Sequence, residues 1–192
     1  ATRSSTQSKF GGYSAYFDGA GDYLQLANST DFRFGSGDFT IEFWFYPLTT
    51  SGGSSGASSL VSFWGNGSNQ SWAIYRVNSG FQFSFSTTGM NQINAISVSS
   101  GVFSINNWYH VAVTRSGSNI RAFINGTQLS TTYNAGSNSF FASTNVLDIG
   151  YNTVASYGPE NGYIDDLRIT KGYARYTADF TAPTAASTKA PT

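Results

Sequence analysis

The ten acidic side chains are the groups best equipped for chemistry in this chain, and their spacing restricts what that chemistry can be. Asp18 and Asp22 lie in YFDGAGDYLQL (Tyr16 to Leu26), which reads as two short strands around a glycine-loosened turn. Far downstream, GYIDDLRIT (Gly162 to Thr170) places Asp165 and Asp166 side by side in a strand-like run. Adjacent strand residues point to opposite faces, so this pair cannot converge on one bond. The two glutamates, Glu42 and Glu160, are far apart, and Glu42 has no second acid two residues away on either side. Paired-carboxylate hydrolysis needs both acids beside the bond. The single histidine, His110, stands in WYHVAVT without the orienting partner that a catalytic base requires. There is no cysteine, which removes thiol catalysis, disulfides and cysteine-ligated zinc. No glycine-rich phosphate loop ending in Lys-Ser/Thr occurs. The chain is therefore expected not to be an enzyme.

Two kinds of site remain. Calcium takes carboxylate and carbonyl oxygens, and glycine-rich turns let carbonyls approach closely, so Asp18 and Asp165 are candidate metal ligands. The alternative is that Asp18 caps its own turn and Asp165 pairs with an arginine such as Arg168 or Arg121. Sugar recognition uses aromatic platforms for the ring face and amides for the hydroxyls. Trp64 and Trp72 bracket an amide-rich loop containing Asn66, and Tyr151, Tyr157 and Asn161 share a later loop. These six are the candidate ligand-binding residues. Against that, Trp64 and Trp72 lie at strand ends and could simply finish the core, as Trp44 and Trp108 are expected to do within their strands.

The elements that position these groups read as strands. DFTIEFWFY (Asp38 to Tyr46) alternates with period two, setting Phe39, Ile41, Phe43 and Phe45 on one face. Ser59 to Trp64, Ser71 to Val77 and Gly80 to Ser86 follow, the last two joined by a hairpin through Asn78 and Ser79. Trp108 to Thr114 turns at Ser116 to Asn119, and Asn125-Gly126 is a strong type I′ hairpin signal, since both residues tolerate positive φ. Asn145 to Gly150 and Tyr163 to Thr170 complete the set, and Lys171 to Phe180 has room for one helical turn. Val111, Val113, Leu147, Ile149 and Leu167 join the four β-face residues as the expected core. Composition agrees: 192 residues suffice for one core, 17% are aromatic, only 10% are charged and the net charge is zero. With no basic run and no apolar stretch of membrane-spanning length, neither nucleic acid nor membrane is an expected partner.

FDG near the start, WYHVAVTRSGSNIRAFINGTQL in the middle and IDDLRITKGYARYTADFTAPT near the end together resemble the laminin-G-like, concanavalin A-like jelly-roll domains, of the type common in phage virion proteins. The resemblance implies an all-β, antiparallel two-sheet sandwich over residues 13–180, flanked by an N-terminal arm or linker (1–12) and a Pro/Ala/Thr-rich tail (181–192). It also implies that the first and last strands pair, bringing Asp18 and Asp165 together around calcium or an arginine. Glycosidases of this scaffold carry two Glu flanking an Asp at alternate positions, a pattern absent here. The expected role is a non-catalytic binding or adhesion module for a glycan or cell-surface ligand, extracellular or on a virion. The rival is a structural subunit whose partners are other copies of itself or other virion or surface proteins, with at least one terminus ordered by packing on a neighbour. The chain opens on Ala1, as a processed protein or a piece of a longer one would.

Overall fold

The computed structural model describes residues 1–53, 56–129, 132–154 and 157–188. Residues 54–55, 130–131, 155–156 (within the loop of Tyr151, Tyr157 and Asn161) and 189–192 of the tail lie outside the described residues. The strands in chain order are β1 (Thr2–Ser4), β2 (Ser14–Asp18), β3 (Leu24–Leu26), β4 (Phe39–Pro47), β5 (Ala57–Trp64), β6 (Gln70–Val77) and β7 (Gly80–Phe85). They continue with β8 (Ile93–Val98), β9 (Tyr109–Ser116), β10 (Asn119–Ile124), β11 (Thr127–Gln128), β12 (Tyr133–Asn134), β13 (Leu147–Ile149) and β14 (Asn161–Lys171). Sheet A runs β1-β2-β14-β4-β9-β10-β11, with β12 also on β10, and sheet B runs β3-β13-β5-β6-β7-β8. Every ladder is antiparallel, and the two sheets form a jelly-roll sandwich.

Period-two patterning sets the interior. Phe39, Ile41, Phe43 and Phe45 of β4, Val111 and Val113 of β9, and Leu147 and Ile149 of β13 all face the space between the sheets, against Phe63, Trp72, Phe83 and Phe85. Leu167 only packs partly against this cluster. The reason is a bulge between Asp165 and Arg168 on β14, with Asp166 at φ 50°, which breaks the alternation just before it. The turns follow their residues: Asn78 (φ 52°) joins β6 to β7, and Asn125 (φ 52°) with Gly126 (φ 84°) closes the two-residue hairpin from β10 to β11. The pairing of β2 with β14 is present as expected.

Both terminal segments lie on the outer face of sheet A, and this accounts for the burial of Thr40, Glu42 and Trp44 on the supposedly wet side of β4. From the N-terminal side, the backbone N–H groups of Lys9 and Phe10 donate to the Asp165 carboxylate at 2.8 and 3.1 Å. The Lys9 ammonium sits 3.8 Å over the Trp44 ring. Segment 1–12, read as an arm, thus supplies strand β1 and a cover for sheet A. From the other end, residues 172–188 form an extended strap with no helical turn at 171–180. Thr114 donates to the Tyr176 carbonyl, and the Phe180 N–H donates to Gly126 O at 2.9 Å. A side chain on Gly126 would collide with that strap, since a Cβ there would meet Phe180 O at 1.8 Å. Further on, Ser187 donates through its N–H and hydroxyl to Asp166. Both terminal segments pack on their own domain.

Beneath the strap lies a charge cluster. The Glu42 carboxylate is 2% exposed and takes Arg168 at 2.7 Å, the Tyr176 hydroxyl at 2.8 Å, His110 Nε2 at 3.3 Å and Arg175 at 3.4 Å. Burial alone would push this carboxyl up, but His110, Tyr176 and Arg168 outweigh it and hold it below the ordinary glutamate value. The same burial and the neighbouring Glu42 push the Tyr176 phenol well up. His110 is therefore part of a structural lock under the C-terminal strap.

Candidate functional site

The expected carboxylate pair does not form. Asp18 stands directly across the ladder from Asn161, whereas Asp165 stands four residues further along β14, about 13 Å away at strand rise. Asp18 is exposed and caps its own turn through the Ala20 N–H at 2.8 Å. Asp165 accepts from the backbone N–H groups of Lys9, Phe10 and Asp166, and at that separation the two carboxylates cannot share one calcium ion or one guanidinium. The donor set of this pair does not fit a shared cation. Among the described residues no three acidic or histidine side chains gather as a metal cluster. Strand pairing was readable from the resemblance, but the register that separates the two side chains was not.

What β14 does bring to Asp18 is Asn161. The two line a groove of about 210 Å³ at the rim of the sandwich with Gly19, Thr49, Ser51, Gly53 and Pro159. The Asn161 side-chain oxygen is buried without a partner among the described residues. The Thr49 and Ser51 side of this groove is held by the buried pair Arg76–Glu160. Arg76 Nη2 meets Glu160 at 2.6 Å and Nε at 2.9 Å, while its remaining N–H groups donate to the carbonyls of Thr49 and Ser51 at 2.8 Å. Ser58 donates its hydroxyl to the same carboxylate. Burial pushes the Glu160 carboxyl up, partly offset by Arg76 and Ser58.

The second constellation is on the outer face of sheet B. Along β7, Phe81, Phe83 and Phe85 enter the core, so Gln82 and Ser84 face outward, beside Asn94 of β8. Asn94 Oδ1 accepts from Ser84 Oγ at 2.9 Å, Gln92 Nε2 at 2.9 Å and Gln82 Nε2 at 3.2 Å. Gln92 Nε2 also reaches the Tyr157 hydroxyl at 3.4 Å. Tyr157 stacks on Tyr75 of β6 with ring centroids 4.0 Å apart, and Tyr75 lies beside Trp64 and Ala73 in a small apolar cluster separate from the core. Burial, then the neighbouring Tyr157, push the Tyr75 phenol well above its ordinary value. Its hydroxyl and the Ser59 hydroxyl on the facing strand are buried with no partner among the described residues. The loop after β13 is tied down over this face: Asn152 donates to Ser62 Oγ and Trp64 O at 3.0 and 2.9 Å, and Thr153 donates to buried Asp148.

The six ligand candidates therefore part company. Tyr157 joins the outer-face cluster and Asn161 the rim groove. Trp64 is on the outer face but 2% exposed, beneath the tethered loop. Trp72, named as a platform, lies between the sheets, fully buried, with its indole N–H donating to Phe32 O at 2.9 Å, and cannot meet a ligand. Even numbering along β6 decides this: Trp72 shares the face of Ile74, not of Tyr75. Asn66 is exposed in the turn from β5 to β6, and Tyr151 is half-buried just after β13. Trp44, expected in the core, lies on the outer side of sheet A, and Trp108 is half-buried against Tyr46. Sequence reasoning missed Gln82, Ser84, Gln92 and Asn94. The out-facing positions of GFQFSF were a usable signal for two of them, but β8, with its weak alternation, was not recognised as a strand.

A two-sheet antiparallel sandwich with one outer face partly covered by its own terminal segments, and the other bearing amides and tyrosines, defines the class as a jelly-roll β-sandwich. Residues 18–175 match the family Laminin_G_3, described as the Concanavalin A-like lectin/glucanases superfamily, and the chain belongs to that family. No curated protein matches the chain by sequence. Among solved structures, domain 4 of AbnA, a GH43 extracellular arabinanase from Geobacillus stearothermophilus in complex with arabinotriose, superposes with a TM-score of 0.64 at 16% identity. The match covers 91% of this chain and 77% of that one. The mouse laminin alpha1 chain, domains LG4-5, gives 0.59 at 14% identity over 91% of this chain and 46% of its own. The botulinum neurotoxin serotype G binding domain gives 0.59 at 15% identity, over 85% and 44%. The chain thus spans less than half of the laminin and toxin chains, and at these identities the likeness is one of fold.

Proposed function

We propose that this domain is a non-catalytic binding module that holds a glycan on the outer face of sheet B. The observation that carries the reading is the cluster Gln82–Ser84–Asn94–Gln92, hydrogen-bonded to Tyr157 beside the Tyr75 stack. Amides fix hydroxyl groups and a tyrosine ring offers the apolar surface on which a sugar ring lies. On sheet A the chain's own ends cover Thr40, Glu42 and Trp44, and beyond them Tyr16, Tyr46 and Trp108 stay partly exposed in a row of rings with Tyr163. The arabinanase domain seen with arabinotriose, and the toxin binding domain, support a binding role for this scaffold. A non-catalytic role is supported by the state of the glutamates: Glu42 is locked by two arginines, a tyrosine and a histidine, and Glu160 by Arg76. Neither faces a partner acid across a cleft. No helix among the described residues is long and apolar enough to cross a membrane. The surface of a cell or virion is the setting this reading gives it.

The test is a glycan array followed by calorimetry on the wild type and on Asn94→Ala and Tyr157→Ala. Binding should be lost or fall at least about tenfold in both variants, equivalent to about 1.4 kcal/mol, with unchanged far-UV circular dichroism. Full affinity in both variants would refute the site.

A second reading, a structural subunit with a protein partner, is favoured by one feature. Tyr13, Tyr23, Leu24 and Leu26 are exposed on the side where β1 and β3 leave both sheet edges open. Light scattering at several concentrations, with Leu24→Asp and Leu26→Asp together as the disrupting variant, tests it through the oligomeric state.

A further inference from the structure

Resting on the glycan reading of the outer face of sheet B, we infer that the ligand class is a neutral glycan, one without sulfate, uronate or sialate groups. The charges of this protein are distributed unevenly between the two sheets. Sheet A carries Arg3, Asp18, Glu42, Arg115, Arg121, Asp165, Asp166, Arg168 and Lys171 in its strands, whereas the strands of sheet B carry only Asp148 and Arg76. Both of these are 1% exposed. Arg76 is spent on Glu160 and on the carbonyls of Thr49 and Ser51. Asp148 is capped by Gln25 and Thr153, and it adds negative, not positive, potential to the face. The connecting segments around the cluster, residues 65–69, 86–92, 99–108 and 151–158, contain no charged residue.

The hydrogen-bonding inventory points the same way. Ser84 donates to Asn94 Oδ1 and accepts from Gln82 and Gln92, which fixes the orientation of all three amides. Among the described residues, Gln82 Oε1, Gln92 Oε1 and Asn94 Nδ2 then have no hydrogen-bond partner in the protein, and Gln92 and Asn94 are exposed. Two acceptors beside one donor group suit hydroxyls, each of which donates once and accepts up to twice. A carboxylate or sulfate only accepts, so it would face two amide oxygens and lose its hydration without a counter-charge.

The test is titration calorimetry of the intact chain with two sets of probes. One set is neutral oligosaccharides of arabinose, galactose, glucose and mannose, and the other is their uronate-, sialate- or sulfate-bearing counterparts of the same length. At least one neutral probe should bind about tenfold or more tightly than any acidic one. Its Kd should change less than about twofold between 50 mM and 500 mM NaCl, because no exposed charge is there to be screened. The variant Gln92→Lys should shift the preference toward acidic probes and introduce salt dependence, and weaker binding of acidic probes by this variant would count against the placement. A wild type that prefers acidic glycans, or whose affinity falls severalfold with salt, overturns the neutral-ligand inference while leaving glycan binding intact. Failure to bind either set overturns the glycan reading itself, and this inference with it.

Discussion

Replacing Glu160 with Gln takes the carboxylate away from a guanidinium that cannot shed its charge. Arg76 is 1% exposed and Glu160 fully buried, so water cannot substitute for the lost partner. Gln keeps one oxygen to accept from Arg76 and Ser58 but brings no charge, and the cation is left with the carbonyls of Thr49 and Ser51. Taking both charges out of water offsets most of their attraction, so the intact pair contributes little net stability. Breaking it from one side is different, costing about 3–5 kcal/mol for an uncompensated buried charge. At about 2–4 °C per kcal/mol for a domain of this size, Tm should fall by roughly 6–20 °C. Thermal and urea unfolding followed by circular dichroism read this directly. Adding Arg76→Met to Glu160→Gln removes the stranded cation and should restore part of the loss, so the double variant is more stable than Glu160→Gln alone. A single-variant loss under about 1 kcal/mol, or a double variant no better than the single, would refute the argument.

Acid should weaken the lock under the C-terminal strap. The folded Glu42 carboxyl is held below its ordinary value of about 4.3, so its contribution is fully present above that value and is lost as pH falls through the lower folded one. Urea midpoints measured from pH 7 down to pH 2 should therefore drop more steeply in the wild type than in Glu42→Gln, and parallel curves would contradict the assignment. Calcium should leave Tm unchanged through the Asp18–Asp165 pair, because the ladder holds those carboxylates about 13 Å apart or more. A rise in Tm with calcium that persists in Asp165→Ala and vanishes in Asp18→Ala would instead assign a cation to the rim groove with Asn161.

Local rules carried far in this chain because its strands are unambiguous. Phe39, Ile41, Phe43 and Phe45 alternate with polar residues, and only a strand places such a set on one face. Asn78, Asn125 and Gly126 turn the chain where positive φ is needed, so the hairpins were legible from residue type alone. Partner choice within the site was not legible in the same way. Asp18 meets Asn161 and not Asp165 because of register, a property of two strands together. Arg168 meets Glu42 because a bulge on β14 resets the alternation between Asp165 and Arg168. The burial of Trp44, His110 and Glu42 depends on segments more than 30 residues away in sequence at either end, whose own composition carries no sign of where they dock. Gln82, Ser84, Gln92 and Asn94 became a site only when β7 and β8 paired, with one residue out of step between Phe83 and Ser84. A strand's inward face is dictated by hydrophobic burial, which a sequence displays as a period. The composition of an outer face depends on which strands lie side by side and on what covers them, and those are settled by long-range pairing free energies that no single stretch of sequence contains.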